Sequence, residues 1–275
     1  MPQKELIINA DDFGLSPEID RGVAEACSKG IVTSASLLAN GPDFDGAVQL
    51  ARAGSLSVGV HLTLTGGAPV SAPGAIPSLL GAGQAFYPRF SSFFARFAAG
   101  LVNKRHVLLE WRAQIEKVVA AGIKPAHLDG EQYVHLVPGL FGLCVRLADE
   151  FGIRRVRAPR RILFLSPRPG PERLAARALL EGFMLHPAYR RLGRAASPGC
   201  LLGFEASGRL DEKRLECILK NLPEGLSELV CHPGAADRGT PGLPRWGYDW
   251  RGELKALTSP RAAALLRASG AVTRH

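Results

Sequence analysis

The chain has 275 residues, 46% of them hydrophobic, which is enough for one large unit with a full core and excludes a disordered protein. Its five cysteines form no Cys-x-x-Cys pair, which argues against a disulfide framework or a thiolate zinc site and points to a reducing cytoplasm. The net charge of +9 resides wholly between Arg154 and Arg194, where eleven arginines and no lysine meet two glutamates.

The first apolar run, Leu6-Ile7-Ile8-Asn9-Ala10, reads as a buried strand that ends in Asp11-Asp12-Phe13-Gly14. Ser16 then supplies a helix N-cap and Pro17 a first helical residue. Asp11 and Asp12 therefore stand where a strand exits, the edge at which α/β folds collect ligands. Adjacent carboxylates repel unless a metal ion or a proton shares the site, although turn aspartates also serve as caps. Residues 17–29 predict a helix with Ile19, Val23 and Ala26 inward, and 31–39 a second strand. A helix over 42–53 and a strand over 56–64 carrying His61 follow. Residues 53–88 hold no charged side chain but seven glycines and four prolines, so they read as a loop-rich segment rather than a membrane span.

Farther on, a helix through Trp111, Ile115 and Val118 stops at Gly122, and a short strand at 125–128 bears His127 and leads to Asp129. Residues 138–151 predict a helix, 153–156 a strand, 211–220 a capped helix, 228–231 a strand delivering His232, and 260–269 a last helix. About seven β–α repeats predict a parallel sheet with helical crossovers in one domain spanning 1–275. No Gly-x-Gly-x-x-Gly follows the first strand, so a closed or distorted (β/α) TIM-like barrel fits better than a dinucleotide fold.

Four strand ends thus carry a ligand or proton carrier: Asp11/Asp12, His61, His127 and His232. A single histidine after a strand is ordinarily structural, but parallel strands would bring all four to one face. One carboxylate with two imidazoles is a recurrent set for a divalent ion with open positions. Such an ion can lower the pKa of water to about 7, a second carboxylate can take the proton, and another histidine can protonate the leaving group.

Five blocks, in order, carry a resemblance: Asn9-Ala10-Asp11-Asp12-Phe13-Gly14, Gly30-Ile31-Val32-Thr33-Ser34, Val58-Gly59-Val60-His61, His127-Leu128-Asp129, and Glu228-Leu229-Val230-Cys231-His232-Pro233-Gly234. The chain resembles the YdjC-like carbohydrate deacetylases, which include chitooligosaccharide deacetylases (ChbG type) and hopanoid-biosynthesis-associated members (HpnK type). The resemblance implies a distorted (β/α) barrel of the glycoside hydrolase/deacetylase type that hydrolyses an N-acetyl group from an amino sugar and releases acetate. It further implies Asp12, His61 and His127 as ligands of one divalent metal, magnesium or zinc, Asp11 as base, and His232 as acid or transition-state stabiliser. After Asp129 such proteins commonly run Ser-His-x-His-x-His. Here Gly130-Glu131-Gln132-Tyr133-Val134-His135 places Glu131 and Tyr133 where two histidines are usual. A ligating Glu131 would make the coordination richer in oxygen. Asp129 and His135 are expected behind a ligand imidazole, with a purely structural role as the alternative. Arg251 and Glu253 also fit the family pattern, with the start of a surface helix as the alternative.

A glycoside hydrolase on the same barrel and an inactive sugar-binding protein are the competing readings. Adjacent Asp11 and Asp12 cannot easily flank a glycosidic bond from opposite faces, which counts against the first. The intact constellation counts against the second. The basic stretch at 154–194 looks like an insertion whose arginines interleave with apolar runs such as Ile162-Leu163-Phe164-Leu165. That pattern suits peripheral contact with an anionic membrane at its inner face, with solvated arginines on surface helices as the alternative, and the segment resembles the hopanoid-associated branch, whose implied substrates are lipid-linked amino sugars. No nucleic-acid partner is expected, because no recognised motif accompanies the charge.

Overall fold

The computed structural model describes residues 3–54, 56–165, 169–190, 193 and 195–275. Seven strands follow along the chain: β1 (Lys4–Phe13), β2 (Ser34–Leu37), β3 (Ser57–Leu62), β4 (Leu128–Gly130), β5 (Arg161–Ile162), β6 (Cys200–Leu202) and β7 (Gly225–Cys231). All pair in parallel in the order β4-β3-β2-β1-β7-β6-β5. The two free edges meet through a parallel bridge between Leu128 and Val156, with Leu128 N–H donating to Arg155 O and Arg157 N–H to Leu128 O, both at 2.9 Å. The sheet therefore curls into a seven-stranded ring, a distorted (β/α) barrel as the repeats predicted. A short β8 (Val272–Thr273) extends the ladder of β1 below β2.

Helices clothe the outside. α1 (Pro17–Lys29) is capped by Ser16, whose Oγ accepts from Ile19 N–H at 3.3 Å. Its Ile19, Val23 and Ala26 bury themselves with Leu6, Ile8 and Ala10 on the outer face of β1. α2 (Phe44–Ala53), α3 (Phe90–Ala98), α4 (Lys104–Ala120), α5 (Phe141–Glu150), α6 (Pro171–Met184), α7 (Glu212–Lys220), α8 (Trp250–Thr258) and α9 (Pro260–Ala268) complete the layer. The 53–88 stretch contains β3 and then three single turns of 3-10 helix. The strand predicted at 153–156 contributes bridges at Arg155 and Val156, and the ladder proper begins at Arg161.

Side chains alternate along a strand, so every second residue enters the barrel. In most parallel barrels those positions are branched apolar residues. Here they include Asn9 and Asp11 on β1, Ser36 on β2, Gly59 and His61 on β3, His127 and Asp129 around β4, and Arg155 and Arg157 ahead of β5. The apolar core lies between the ring and its helices, while the interior is a polar lattice.

Asp20 joins α1 back to the exit of β1. Its Oδ1 accepts from Gly14 N–H at 2.6 Å, and burial pushes its carboxyl up to about 8 from an ordinary 3.8. Between those values the fold keeps a proton that the unfolded chain releases, so this group's contribution to stability falls as pH rises through that window. Asp20→Asn preserves the acceptor and removes the titration. The variant should gain in melting temperature on wild type between about pH 5 and about pH 9. A difference that stays constant with pH would mean that Asp20 is ionised in the fold.

Candidate active site

The strand ends open into a cavity of about 410 Å³ lined by Asp11, Asp12, His61, Glu131, Tyr133 and His232, among others. A bulge between Ala10 and Phe13 interrupts the β1–β2 register, and Asp12 has φ 65°. Successive residues would otherwise point to opposite faces, and the bulge turns both carboxylates to the cavity.

His61 lies beside Asp129 in the β3–β4 register, and its Nδ1 is 2.8 Å from Asp129 Oδ1. That contact fixes Nδ1 as donor and aims Nε2 at Asp12, whose Oδ1 is 3.8 Å away. Burial alone would depress the imidazole, but Asp129, Asp11 and Asp12 outweigh it and hold its pKa at about 9. Asp12 moves up to about 7, through burial and through repulsion from Asp11, Glu131 and Asp129 that His61 only partly offsets. This wall is therefore short of positive charge. Glu131 adds a further carboxylate, its Oε2 accepting from the hydroxyls of Thr63 and, at 3.0 Å, Thr65. Gln132 and Tyr133 both have positive φ, 49° and 58°, a conformation costing about 1–3 kcal/mol each that recurs at functional sites.

His127, expected among the metal ligands, stands deeper in the barrel than this wall. It stands two residues before Asp129, so it enters the barrel one layer deeper, by ~6.6 Å. Its Nδ1 accepts from Arg155 at 3.0 Å, and its Nε2 is 3.0 Å from Ser36 Oγ. Arginine can only donate, so Nε2 carries the proton and neither nitrogen is free. His135 is buried as well, donating from Nε2 to Arg157 O at 2.7 Å, and so it supports Arg157 rather than a ligand imidazole. Arg251 lies on the surface, paired with Asp237 at 2.6 Å, as the helix-start alternative predicted. Its neighbour Glu253 does not: it is 1% exposed and accepts from His232 N–H at 2.5 Å and Leu210 N–H at 3.0 Å.

Arg157 escaped the sequence reading. It is 1% exposed and donates to both oxygens of Asp11 at 2.7 Å, to Glu228 Oε1 at 2.8 Å and to Asp129 Oδ2 at 2.7 Å. Burial would raise Asp11, but Arg157 prevails and holds its carboxyl below the ordinary range. The available signal was alternation, since Arg155 and Arg157 repeat the i, i+2 pattern of His127 and Asp129. Part of the basic surplus thus lies inside the barrel instead of on an inserted rim. Arg168, Arg191 and Arg194 of that segment lie outside the described residues.

Asp11, His61 and Asp129 bring one potential ligand atom each within 4.8 Å of one another, a spacing that could hold a metal ion. Arg157 already engages both of those aspartates, however, whereas Asp12, His61 and Glu131, the last held by Thr63 and Thr65, border the cavity without a guanidinium on them. Two carboxylates and an imidazole are donor chemistry of the kind that holds a divalent metal ion.

The YdjC-like family model matches residues 5–268. The chain belongs to the YdjC-like family. A carbohydrate deacetylase of Mus musculus is 31% identical to this YdjC-like protein, over 98% of the chain and 93% of the relative. A chitooligosaccharide deacetylase of Klebsiella pneumoniae (strain 342) is 32% identical over 98% and 96%. A crystal structure from Enterococcus faecalis V583, described as a candidate cellobiose-phosphate cleavage protein, superposes with TM-score 0.79 at 26% identity, covering 99% of this chain and 97% of that one.

Arg157 sets the first test of this site. Arg157→Met would leave three buried carboxylates without their cation and should cost ~3–5 kcal/mol in urea unfolding. A loss below ~1 kcal/mol would show that those carboxylates find other partners or protons.

Proposed function

We propose that this protein is a metal-dependent carbohydrate deacetylase that hydrolyses the N-acetyl group of an amino sugar and releases acetate. The observation that carries the reading is the cavity wall of Asp12, His61 Nε2 and Glu131, short of positive charge, facing Asp11 and His232. The full-length likeness to carbohydrate and chitooligosaccharide deacetylases supports the same chemistry, with N-acetylated oligosaccharides as substrates. Asp12, His61 and Glu131 would hold one divalent ion, magnesium or zinc. When bound, such an ion polarises a carbonyl and acidifies water.

The chain's own groups manage the protons. Asp11 stays ionised at neutral pH because of Arg157, so it can accept a proton as water adds to the acetamide carbon. His232 is neutral there, burial lowering its pKa to about 4, and its Nδ1 has no partner among the described residues. It can take up the proton that Asp11 removed from water and hand it to the nitrogen as the C–N bond breaks and acetate departs. The five cysteines are free, which supports a cytoplasmic site of action.

Mass spectrometry of N-acetylated oligosaccharides incubated with the enzyme and magnesium or zinc tests the reading. The expected product has lost acetyl groups and kept its length, and a shortened glycan would point to glycosidase chemistry instead. Asp11→Asn should retain metal and lose on the order of 10²–10⁴ in rate, whereas His61→Ala should lose both metal and activity. Stoichiometric metal in His61→Ala would remove His61 from the ligand set.

A lipid-held amino sugar is a second substrate reading, and α6 carries it. Ala176, Leu179 and Leu180 of this helix line the cavity, while Leu174 and, just past the helix end, Leu185 are 50% and 84% exposed, with half-buried Arg173 and Arg177 flanking Leu174. Exposed leucines among arginines suit peripheral contact with an anionic bilayer. Among the described residues no helix is long and apolar enough to cross a membrane. Flotation with anionic liposomes should show binding that high salt weakens and that Leu174→Glu with Leu185→Glu abolishes. Absence of binding, with full turnover of soluble oligosaccharides, would reject the membrane contact.

A further inference from the structure

Two aromatic side chains from the segment between β7 and α8 border the cavity, and no proton step uses them. Trp246 and Tyr248 line it with ring centroids 5.4 Å apart, and Tyr248 stands edge-on to His232 at 4.8 Å. The seat of Tyr248 is built into the fold. A Cβ on Gly208 would come within 2.0 Å of the Tyr248 ring, so only glycine leaves room for it. The same Gly208 accepts from Asp249 N–H at 2.7 Å, which pins the residue after Tyr248.

Glu253 ties both sides of this seat together through Leu210 N–H and His232 N–H. Ion pairs Arg238–Asp249 at 3.3 Å and Arg251–Asp237 at 2.6 Å anchor the ends of the segment. That gives Arg251 a role at a distance from the cavity. Tyr133 and Phe204, edge to face at 5.3 Å, also border the cavity. A sugar ring presents apolar C–H faces between its hydroxyls, and an aromatic ring buries such a face without leaving a polar group unpaired.

We propose that Trp246 and Tyr248 form the stacking wall for the sugar ring and determine specificity, holding the ring while its acetamide reaches Asp12 and His61. This rests on the deacetylase reading and adds the part of the substrate that does not react. Binding energy from that part appears chiefly in KM.

Trp246→Ala and Tyr248→Ala should each raise KM for diacetylchitobiose about tenfold, with a smaller effect on kcat, and Tyr248→Phe should restore most of the Tyr248→Ala loss. Trp246 is half-buried, whereas Trp111 and Trp250 are 0% and 2% exposed, so Trp246 is the tryptophan that a bound sugar can perturb. Titration with diacetylchitobiose should therefore change tryptophan fluorescence in wild type and not in Trp246→Phe. Unchanged KM in both alanine variants, or a fluorescence change that persists in Trp246→Phe, overturns the stacking wall. Failure of the wild type to release acetate from any N-acetylated sugar, with a Trp246-dependent fluorescence change intact, would instead overturn the deacetylase reading and leave the wall standing.

Discussion

One guanidinium holds the interior of this barrel together. Arg157 satisfies Asp11, Asp129 and Glu228, carboxylates from three different strands whose mutual repulsion would otherwise oppose closure of the ring. Desolvating four charges is costly, and only near-complete hydrogen bonding offsets it. The geometry supplies that: Nε and both terminal nitrogens donate at 2.7–2.8 Å, and the carbonyl of the same residue is held by His135. Arg157 also links structure to chemistry. It keeps Asp11 ionised and fixes Asp129, which in turn sets the tautomer of His61.

Local strain is concentrated at the same end of the barrel. Among the described residues the non-glycine residues with positive φ are Asp12, Gln84, Gln132 and Tyr133, and three of these line the cavity. Such conformations persist where the surroundings over-determine them. Around Asp12 the constraint is the bulge and the capped start of α1, and at Gln132 it is hydrogen bonds to Phe90 N–H and Thr65. Strain there aims carboxylates and an aromatic ring in directions that regular strand geometry would not allow.

The strands bearing Asp11, His61, Asp129 and His232 were legible because apolar runs ending in turn residues leave a clear period and boundary. Their convergence followed from the parallel repeat alone. Depth inside the barrel was not legible. His127, Asp129 and Glu131 look equivalent around this strand end, but each two-residue offset becomes a full layer, and of the three only Glu131 borders the cavity. Arg157 was hidden for a related reason: in a segment with eleven arginines, charge density pointed to the surface, and only the alternation with Val156 and Ala158 marked one as interior. Glu253 and Arg251 are two residues apart and take opposite environments, which a surface-helix reading cannot distinguish.

Gly59 has a consequence of its own. A Cβ at this position would lie 2.4 Å from the ring atoms of His127, so the imidazole occupies space that β3 gives up. Positions 59 and 127 are therefore one volume shared between two strands. A larger residue at 59 is compatible only with a smaller one at 127, and a small residue at 127 would leave a void above a bare glycine. Relatives that vary at one of these positions should vary at the other, even though neither side chain borders the cavity.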